Sequence, residues 1–181
     1  MTESSDFHYV KECLRGHPNA FEPLIDKYQK PIFNAALKML NNYEDAQDVT
    51  QSVFVKAFEK LDSFDPKYKF FSWIYRMVIN ESINFLKKRK WIEELDSSIV
   101  TLEKNPEKKL DEIELGERVQ TALMKLRMEY RVVIILKHFE DLSYREIGYI
   151  LDIPEKKVKS RLFTSRQLLR DILVAKGMTH G

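Results

Sequence analysis

The sequence predicts an all-α protein. Apolar residues recur at helical spacing along most of the 181 residues, and no segment shows convincing strand alternation of apolar and polar residues. Pairs that break helices, such as Asp65-Pro66 and Asn105-Pro106, separate the periodic segments. Hydrophobic residues make up 44% of the chain, which is enough to fill the core of one large domain or of two small ones.

Three amphipathic segments predict the helices of a first domain. The first covers residues 21–40 and carries Pro31, which predicts a bend. The second covers residues 44–61 and follows a turn at Asn41-Asn42. The third covers residues 71–89. Each has an apolar stripe on one side, so the three helices are expected to pack around a shared core.

A change of composition divides the chain. Between Trp91 and about Leu110 the periodicity fails and charged and small polar residues dominate, which is typical of a flexible linker. We therefore predict a first domain at residues 1–90, a linker at 91–112 and a second domain at 113–181. The stripes that resume in the second domain contain Val119, Ala122, Leu123, Leu126, Val132, Val133 and Leu136.

Residues 141–166 predict a helix-turn-helix. Ser143 and Glu146 have the spacing of a capping box, so a helix is expected to start there. Gly148 lacks a side chain where two helices would approach closely, and Asp152-Ile153-Pro154 breaks the helix. The second helix has a buried stripe that consists of Val158, Leu162, Ser165, Leu169 and Ile172.

The other faces of this second helix are basic, which favours DNA as a partner. Lys156 and Lys157 lie in the first helical turn, where a cation costs about 0.3–1 kcal/mol unless an anion is near. Phosphate oxygens nearby would turn this cost into a favourable contribution. The alternative is that Glu155 offsets part of the penalty and that the lysines are only solvated. The helix-turn-helix context favours a recognition helix, with further exposed positions at Lys159, Arg161, Phe163 and Arg166.

Charge and cysteine content limit the other possibilities. The formal net charge is only +2, so a nucleic-acid surface must come from clusters such as Lys87-Lys-Arg-Lys90. Cys13 is the single cysteine, and neither a signal-peptide core nor an apolar run of membrane-spanning length occurs. We expect a cytoplasmic protein without membrane insertion. Cys13 and His17 could lie one helical turn apart, but no second ligand pair is near, so no metal and no cofactor are predicted.

Three blocks of sequence together resemble the bacterial sigma factors of the extracytoplasmic-function (ECF) group in the sigma-70 family. The first is Asp45-Ala-Gln-Asp-Val-Thr-Gln-Ser-Val-Phe-Val-Lys-Ala-Phe58, and the second is Phe71-Ser-Trp-Ile-Tyr-Arg-Met-Val-Ile-Asn80 followed by Lys87-Lys-Arg. The third consists of residues 126–131, 142–147 and 158–162. The blocks stand in the order of the family, are separated by a linker, and extend the resemblance over nearly the whole chain.

For the first block, the resemblance implies docking on the clamp helices of the largest subunit of RNA polymerase. The residues expected to bind are Asp45, Asp48, Gln51 and Phe54. Helical spacing puts Asp45 and Asp48 on one outward face, which suits a basic partner surface. Ordinary solvation with a favourable helix-dipole contact is the alternative explanation for these acidic residues.

For the second block, the resemblance implies melting and reading of the -10 promoter element. A loop with Phe64, Lys67, Tyr68 and Lys69 is expected to capture a flipped base. The helix that follows is expected to read the adjacent duplex with Asn80, Asn84, Lys87 and Lys88. Phe71, Trp73 and Phe85 are expected to be core residues, and Phe64 could be either a core residue or a base contact. Asn84 stands where many relatives have an aspartate.

For the third block, the resemblance implies recognition of the -35 promoter element. Base contacts are expected from Lys159, Ser160 and Phe163, and contacts to the DNA backbone from Arg145, Lys157 and Arg166. Lys156 is also expected to bind -35 DNA, because a phosphate would offset the cost of a cation in the first helical turn. Thr164 replaces an arginine that is common in the family. Because threonine cannot read guanine bidentately as arginine does, a changed -35 preference is plausible.

The predicted function is that of an initiation factor without enzymatic activity. It would bind core RNA polymerase at the clamp helices and the flap, direct it to promoter DNA, and be controlled by an anti-sigma factor. A stand-alone helix-turn-helix regulator is the alternative, and it predicts tight duplex binding without polymerase. A third interpretation places a metal-dependent nuclease site at Asp45 and Asp48, but no further catalytic motif supports it.

Overall fold

The computed structural model describes residues 2–95 and 110–175, with side chains from Ser5 to Glu94 and from Gly116 to Ala175. Within these residues the regular elements are helices, and no strand occurs, so the all-α prediction is confirmed. The chain forms two compact units, residues 1–100 and 101–181. Each unit has its own buried core.

The first unit contains four α-helices. They are α1 (Thr2–Leu14), α2 (Glu22–Leu40), α3 (Tyr43–Glu59) and α4 (Phe70–Leu95), with short 3-10 helices at Pro18–Phe21 and Leu61–Ser63. Asn41 ends α2 in the left-handed conformation, and the side chain of Asn42 accepts a hydrogen bond from the Asp45 amide to cap α3. Helices α2, α3 and α4 pack against one another, as their stripes predict.

Helix α1 is absent from the sequence-based prediction. Its buried side chains are Val10 and the charged residue Asp6, so it lacks the apolar stripe that would reveal it. Asp6 Oδ1 lies 2.6 Å from Lys27 Nζ, and Asp6 Oδ2 accepts a 2.6 Å hydrogen bond from the Tyr28 hydroxyl. A polar contact with α2 therefore replaces much of the apolar contact that usually docks a helix.

Helix α4 continues beyond its predicted end at Arg89. The apolar residues Trp91 and Ile92 in this extension are exposed and mark no buried stripe. Its charged residues pair along the helix: Arg89 Nε lies 3.1 Å from Glu93 Oε1, and Lys90 Nζ lies 3.7 Å from Glu94 Oε1. Such pairs four residues apart favour an exposed helix that periodicity does not indicate. The first residues of the predicted linker are thus helical, and residues 96–109 lie outside the described part of the chain.

The second unit contains two short helices between two longer ones. They are α5 (Leu110–Lys125), α6 (Met128–Ile134), α7 (Tyr144–Leu151) and α8 (Glu155–Ala175), and a π-helical turn at Ile135–Phe139 continues α6. The predicted stripe residues between Ala122 and Leu136 are buried in its core. On α8, Val158, Leu162 and Ser165 are buried, as predicted.

A buried arginine connects α5 and α6. Arg131 is 7% exposed and donates hydrogen bonds to three carbonyl oxygens, those of Leu123 at 3.0 Å and of Met124 and Leu126 at 3.1 Å. These carbonyls lie at the end of α5, where a cation is favoured by the helix dipole. Burial lowers the pKa of Arg131 from its usual value. The side chain therefore caps α5 from the neighbouring helix.

The local details of the helix-turn-helix are confirmed. Ser143 and Glu146 form both hydrogen bonds of the capping box, and Asp152 ends α7 in the left-handed conformation. A Cβ atom on Gly148 would lie 2.8 Å from the carbonyl oxygen of Ile153. The close approach that requires this glycine is therefore to the backbone of the turn between α7 and α8.

Candidate nucleic-acid interfaces

The outward face of α3 carries three of the four residues predicted to bind polymerase. Asp48 and Gln51 are exposed, and Asp45 is half-buried. Asp45 Oδ2 lies 3.4 Å from Arg89 Nη1 on α4, so part of its charge is balanced within the chain. Val49 and Val53 are buried on the opposite face. The structure thus presents a weakly acidic surface around Asp48.

Phe54 lies apart from this surface. Its side chain is only 8% exposed, because α3 turns it toward the core. Among the apolar residues that α3 presents outward, Val55 is 57% exposed and Phe58 is 45% exposed, with one side of the Phe58 ring against Phe21 at a centroid distance of 5.3 Å. Neither was predicted to contact a partner. The available signal was that both are apolar and fall outside the buried stripe of α3. Phe54 is therefore a core residue, and it offers little exposed area for the contact with polymerase that the sequence predicted.

The predicted base-capturing loop precedes α4. Lys67, Tyr68 and Lys69 are exposed there, and Asp65 shapes the turn because its side chain accepts a hydrogen bond from the Lys67 amide at 3.0 Å. Phe64 is half-buried, with its ring centroid 5.4 Å from that of Trp73. Its ring thus joins the core cluster at the base of the loop, which favours the core assignment that the sequence left open.

An amide and lysine row follows on the exposed side of α4. Asn80, Asn84, Lys87 and Lys88 are all exposed, whereas Val78, Ile79 and Ser82 are buried on the other side. The helix thereby holds two amide side chains and two cations on one solvent-facing row. Amides can read base edges and cations can neutralise phosphates, so the row has the composition of a duplex-reading surface.

Helix α8 presents the predicted recognition surface. The predicted residues on it are exposed, namely Lys156, Lys157, Lys159, Ser160, Phe163 and Arg166. Phe163 is 67% exposed, which is unusual for a phenylalanine. Arg161 differs, because its side chain is 22% exposed and its Nη2 lies 3.7 Å from Glu129 Oε2 on α6. Arg161 therefore belongs to the packing between α6 and α8.

Tyr144 lies between two lysines at the edge of this surface. Its ring centroid is 5.5 Å from Lys137 Nζ and 5.6 Å from Lys159 Nζ. Arg145, the predicted backbone contact, is the next residue on α7 and is exposed. Tyr144 was not among the site residues predicted from the sequence. The sequence feature that could have indicated it is its position in the first turn of the capped helix α7. In the structure this turn lies beside α8, close to Lys159.

Arg166 is oriented by a histidine. Its Nε donates a 3.2 Å hydrogen bond to His138 Nε2 in the π-helical turn. Partial burial, followed by the charges of Arg166 and Lys137, lowers the pKa of His138 from 6.5. The imidazole is therefore held in the neutral form that can accept this hydrogen bond.

Within residues 2–95 and 110–175, no group of three or more histidine, cysteine or acidic side chains is arranged to hold a metal ion. His17 Nδ1 lies 3.4 Å from Glu12 Oε2, one turn from Cys13. None of the described helices combines the length and the hydrophobicity needed to cross a membrane.

Comparison with known protein families assigns both units. Residues 24–92 match the model of sigma-70 region 2, and residues 116–169 match that of sigma-70 region 4. The ECF RNA polymerase sigma factor SigW of Bacillus subtilis is 34% identical over 173 residues, which cover 89% of this chain and 92% of SigW. The ECF RNA polymerase sigma-E factor of Escherichia coli is 30% identical over 172 residues, with 88% and 90% coverage.

Solved structures show the same fold. CnrH, in complex with the cytosolic domain of CnrY, is similar with a TM-score of 0.73 and 26% identity over 94% of this chain and 98% of CnrH. The sigma factor RpoE of Bartonella quintana, in complex with the anti-sigma factor NepR, gives a TM-score of 0.73 at 22% identity, over 84% of this chain and 96% of RpoE. With both units matched in order and relatives matched along most of their length, the chain belongs to the ECF sigma factors of the sigma-70 family and is an alternative sigma factor for transcription initiation.

Proposed function

We propose that three surfaces of this chain divide the work of promoter recognition. The outward face of α3 docks on the clamp helices of core RNA polymerase. The loop at residues 62–69 and the row on α4 open and read the -10 element, and α8 reads the -35 element. The main support for the proposal is the contrast between two faces of α8. One face exposes cations and Phe163, and the other buries Val158, Leu162 and Ser165 in the core.

On α3, the proposed contact combines charge with apolar area. Asp48 and Gln51 supply polar groups for a basic polymerase surface, and Val55 and Phe58 supply apolar area nearby. Asp45 contributes less net charge because Arg89 lies beside it. Phe54 acts from the core by holding the helix in place.

At the -10 element, strand opening requires partners for unpaired bases. Tyr68 offers an exposed aromatic ring, and Lys67 and Lys69 offer cations for the strand backbone. One base stacked on an aromatic ring gains about 1–3 kcal/mol, which is comparable to the cost of unpairing a base. Asn80 and Asn84 read the neighbouring duplex, and Lys87 and Lys88 bind its phosphates.

At the -35 element, α8 lies in the major groove. Lys159, Ser160 and Phe163 contact base edges, where a lysine prefers the acceptors of guanine and an apolar ring prefers the thymine methyl group. Lys156, Lys157, Arg145 and Arg166 bind phosphates and set the register of the helix. Phosphate contacts at the start of α8 also relieve the unfavourable position of two lysines in its first turn.

Regulation is proposed to use a protein partner. The similar structures of CnrH and RpoE were each solved with a bound protein, CnrY and the anti-sigma factor NepR. By analogy, an anti-sigma factor covers the exposed apolar and acidic surfaces that this chain uses for polymerase. No covalent chemistry is assigned to the chain, because its proposed action consists of binding and DNA opening alone.

The test is reconstitution with sigma-free core polymerase. The purified chain is expected to co-elute with core polymerase, and the complex is expected to initiate selectively from members of a promoter library. Asp48→Arg should weaken co-elution, because it reverses the charge at the centre of the proposed surface. Asp26→Arg is the matched control, since it makes the same charge change at an exposed position on α2.

Two results would contradict the proposal. Tight sequence-specific binding to duplex DNA without any binding to polymerase would indicate a stand-alone regulator. Equal loss of co-elution in Asp48→Arg and Asp26→Arg would show that the overall charge of the chain matters and that the face of α3 does not. Selective initiation by wild type, with loss confined to Asp48→Arg, would support the assigned surface.

A further inference from the structure

The four consecutive cations at residues 87–90 have two different environments. Arg89 faces Glu93 and Asp45, and Lys90 faces Glu94. Within the described residues, Lys87 and Lys88 have no acidic partner. The residues four positions after them, where an acidic partner would lie, are Trp91 and Ile92. Arg89 and Lys90 are thus followed one turn later by acidic side chains, whereas Lys87 and Lys88 are followed by apolar ones.

Trp91 continues the row that contains Asn80 and Asn84. At about 100° per residue, it lies within about 20° of both asparagines around the helix axis, because it follows them by eleven and seven residues. Ile92 is turned about a further 100° away from Trp91. At about 1.5 Å per residue, Trp91 lies roughly 10 Å beyond Asn84 along the axis, which corresponds to about three base pairs of duplex.

The exposure of Trp91 has no explanation within the described first unit. Its side chain is 62% exposed, whereas Trp73, the other tryptophan, is 7% exposed and lies in the core. An indole ring beside Lys87 and Lys88, neither of which has an acidic partner in the described part of the chain, suits nucleic acid. The ring can pack on a base or a sugar, the indole N–H can donate to a phosphate, and the lysines can neutralise the backbone.

We propose that Trp91 contacts promoter DNA just upstream of the base pairs read by Asn80 and Asn84. The inference rests on the proposed function of the α4 row. Its direction follows from the order of the proposed contacts along α4. The loop at residues 62–69 holds unpaired bases, Asn80 and Asn84 read the adjacent duplex, and Trp91 lies farther from the loop on the same helix. Charge complementarity at Lys87 and Lys88, together with continuity with the row, favours DNA over a protein partner as the occupant.

The experiment measures binding of the reconstituted polymerase complex to two fork templates, both without a -35 element. In the short template the duplex ends at the upstream edge of the -10 element. In the long template it extends about four base pairs further, which covers the roughly three base pairs between Asn84 and Trp91 along the helix axis. Trp91→Ala is expected to bind the long template about tenfold more weakly than wild type and the short template equally well. Trp91→Phe should retain most of the binding, and Ile92→Ala should match wild type.

Each other outcome overturns the inference in a recognisable way. Wild-type binding by Trp91→Ala on both templates removes the DNA contact and leaves the proposed function intact. An equal loss on both templates, or a loss of co-elution with core polymerase, makes Trp91 a polymerase contact. A lowered melting temperature of Trp91→Ala makes it a packing residue. Failure of wild type to initiate at all removes the proposed function and the inference together.

Discussion

The first unit packs aromatic rings around α4, whereas the second packs aliphatic side chains around a buried arginine. Tyr28, Phe64 and Phe71 lie with Phe70 and Trp73 in one cluster, at ring separations of 5.4 to 6.1 Å. The second unit relies on Arg131, on the capping box of α7 and on the close approach at Gly148. Its two short helices, α6 and α7, have too few residues to be stable alone, so individual polar contacts help to decide whether they form.

This difference predicts that single substitutions disturb the second unit more than the first. The two units can be monitored separately, because both tryptophans, Trp73 and Trp91, lie in the first unit. Tryptophan fluorescence therefore follows unfolding of the first unit, whereas far-ultraviolet circular dichroism follows the helices of both. A transition seen by dichroism and absent from fluorescence reports the second unit alone.

The largest expected effect is that of Arg131→Met. The substitution keeps much of the apolar stem but leaves three carbonyl oxygens at the end of α5 without their donor. Loss of such a buried charged donor should lower the free energy of unfolding of the second unit by about 3–5 kcal/mol. Circular dichroism should show an unfolding transition with a lower midpoint than in wild type, and tryptophan fluorescence should not show this transition.

Arg131→Lys is the matched control for this prediction. A lysine keeps the charge but cannot reach three carbonyls with a planar fork, so an intermediate loss is expected. If Arg131→Met melts like wild type, the capping role is wrong and the stability of the second unit comes from its aliphatic core alone.

The next effect is expected in the first unit, from Asp6→Ala. Asp6 is 5% exposed and accepts from both Lys27 and Tyr28, so its removal leaves a buried hydroxyl with one partner fewer. We expect a loss of about 2 kcal/mol, seen as a lower midpoint in tryptophan fluorescence. Tyr28→Phe, which removes one hydrogen bond and keeps the ring, should cost about 1 kcal/mol. A loss in Tyr28→Phe that exceeds the loss in Asp6→Ala would contradict this account of how α1 is docked.

These contacts show which parts of the fold could not be predicted from the sequence. Helices with an apolar stripe were found, as was the capping box at Ser143, because both depend on neighbours within one helix. Helix α1 was missed because its anchor is polar, and the end of α4 was missed because ion pairs extend it. The role of Arg131 depends on carbonyls five to eight residues away across a turn, and no local pattern encodes it.

The predicted site residues show the same limit. Helical spacing placed Asp48 and Lys159 outward correctly, since outward positions follow from the buried stripe. It did not separate Phe54, which is buried, from Phe58, which is exposed. Both are aromatic and lie four residues apart, so only the packing of α3 against the other helices of the unit distinguishes them. The partner of each surface stays a prediction until the reconstitution is done.

Two glycine substitutions in the second unit are expected to change its stability by smaller amounts and in opposite directions. Gly148→Ala would place a Cβ atom 2.8 Å from the Ile153 carbonyl, so the turn must shift, at a cost of about 1–3 kcal/mol. Gly116→Ala is the matched control in α5, because its Cβ atom meets nothing within 4 Å. There the better helix propensity of alanine should stabilise the unit by about 0.5–1 kcal/mol.

Thermal melts followed by dichroism should therefore move in opposite directions for the two variants. A gain in both would show that the turn between α7 and α8 adapts freely, and it would remove the steric reason for Gly148. A loss in both would show that α5 is also constrained at Gly116, contrary to the open space around it.

The smallest effect concerns pH and is again confined to the second unit. The pKa of His138 is lowered by burial and by the charges of Arg166 and Lys137. Because its folded-state pKa lies below the unfolded value of about 6.5, the folded state binds fewer protons between the two values. The stability that this group contributes is thus complete above about pH 6.5 and is lost as the pH falls through the folded pKa.

Protonation also removes the acceptor that orients Arg166, so -35 binding should weaken over the same pH range as stability. His138→Gln keeps an acceptor and does not titrate. Its second unit should melt at nearly the same temperature at about pH 7.5 and about pH 5.5, whereas wild type should lose stability relative to it. Equal pH dependence of the two proteins would show that carboxylates dominate the titration. It would also mean that the His138–Arg166 contact is too exposed to matter for folding, and it would leave Arg166 as a phosphate contact that needs no positioning partner.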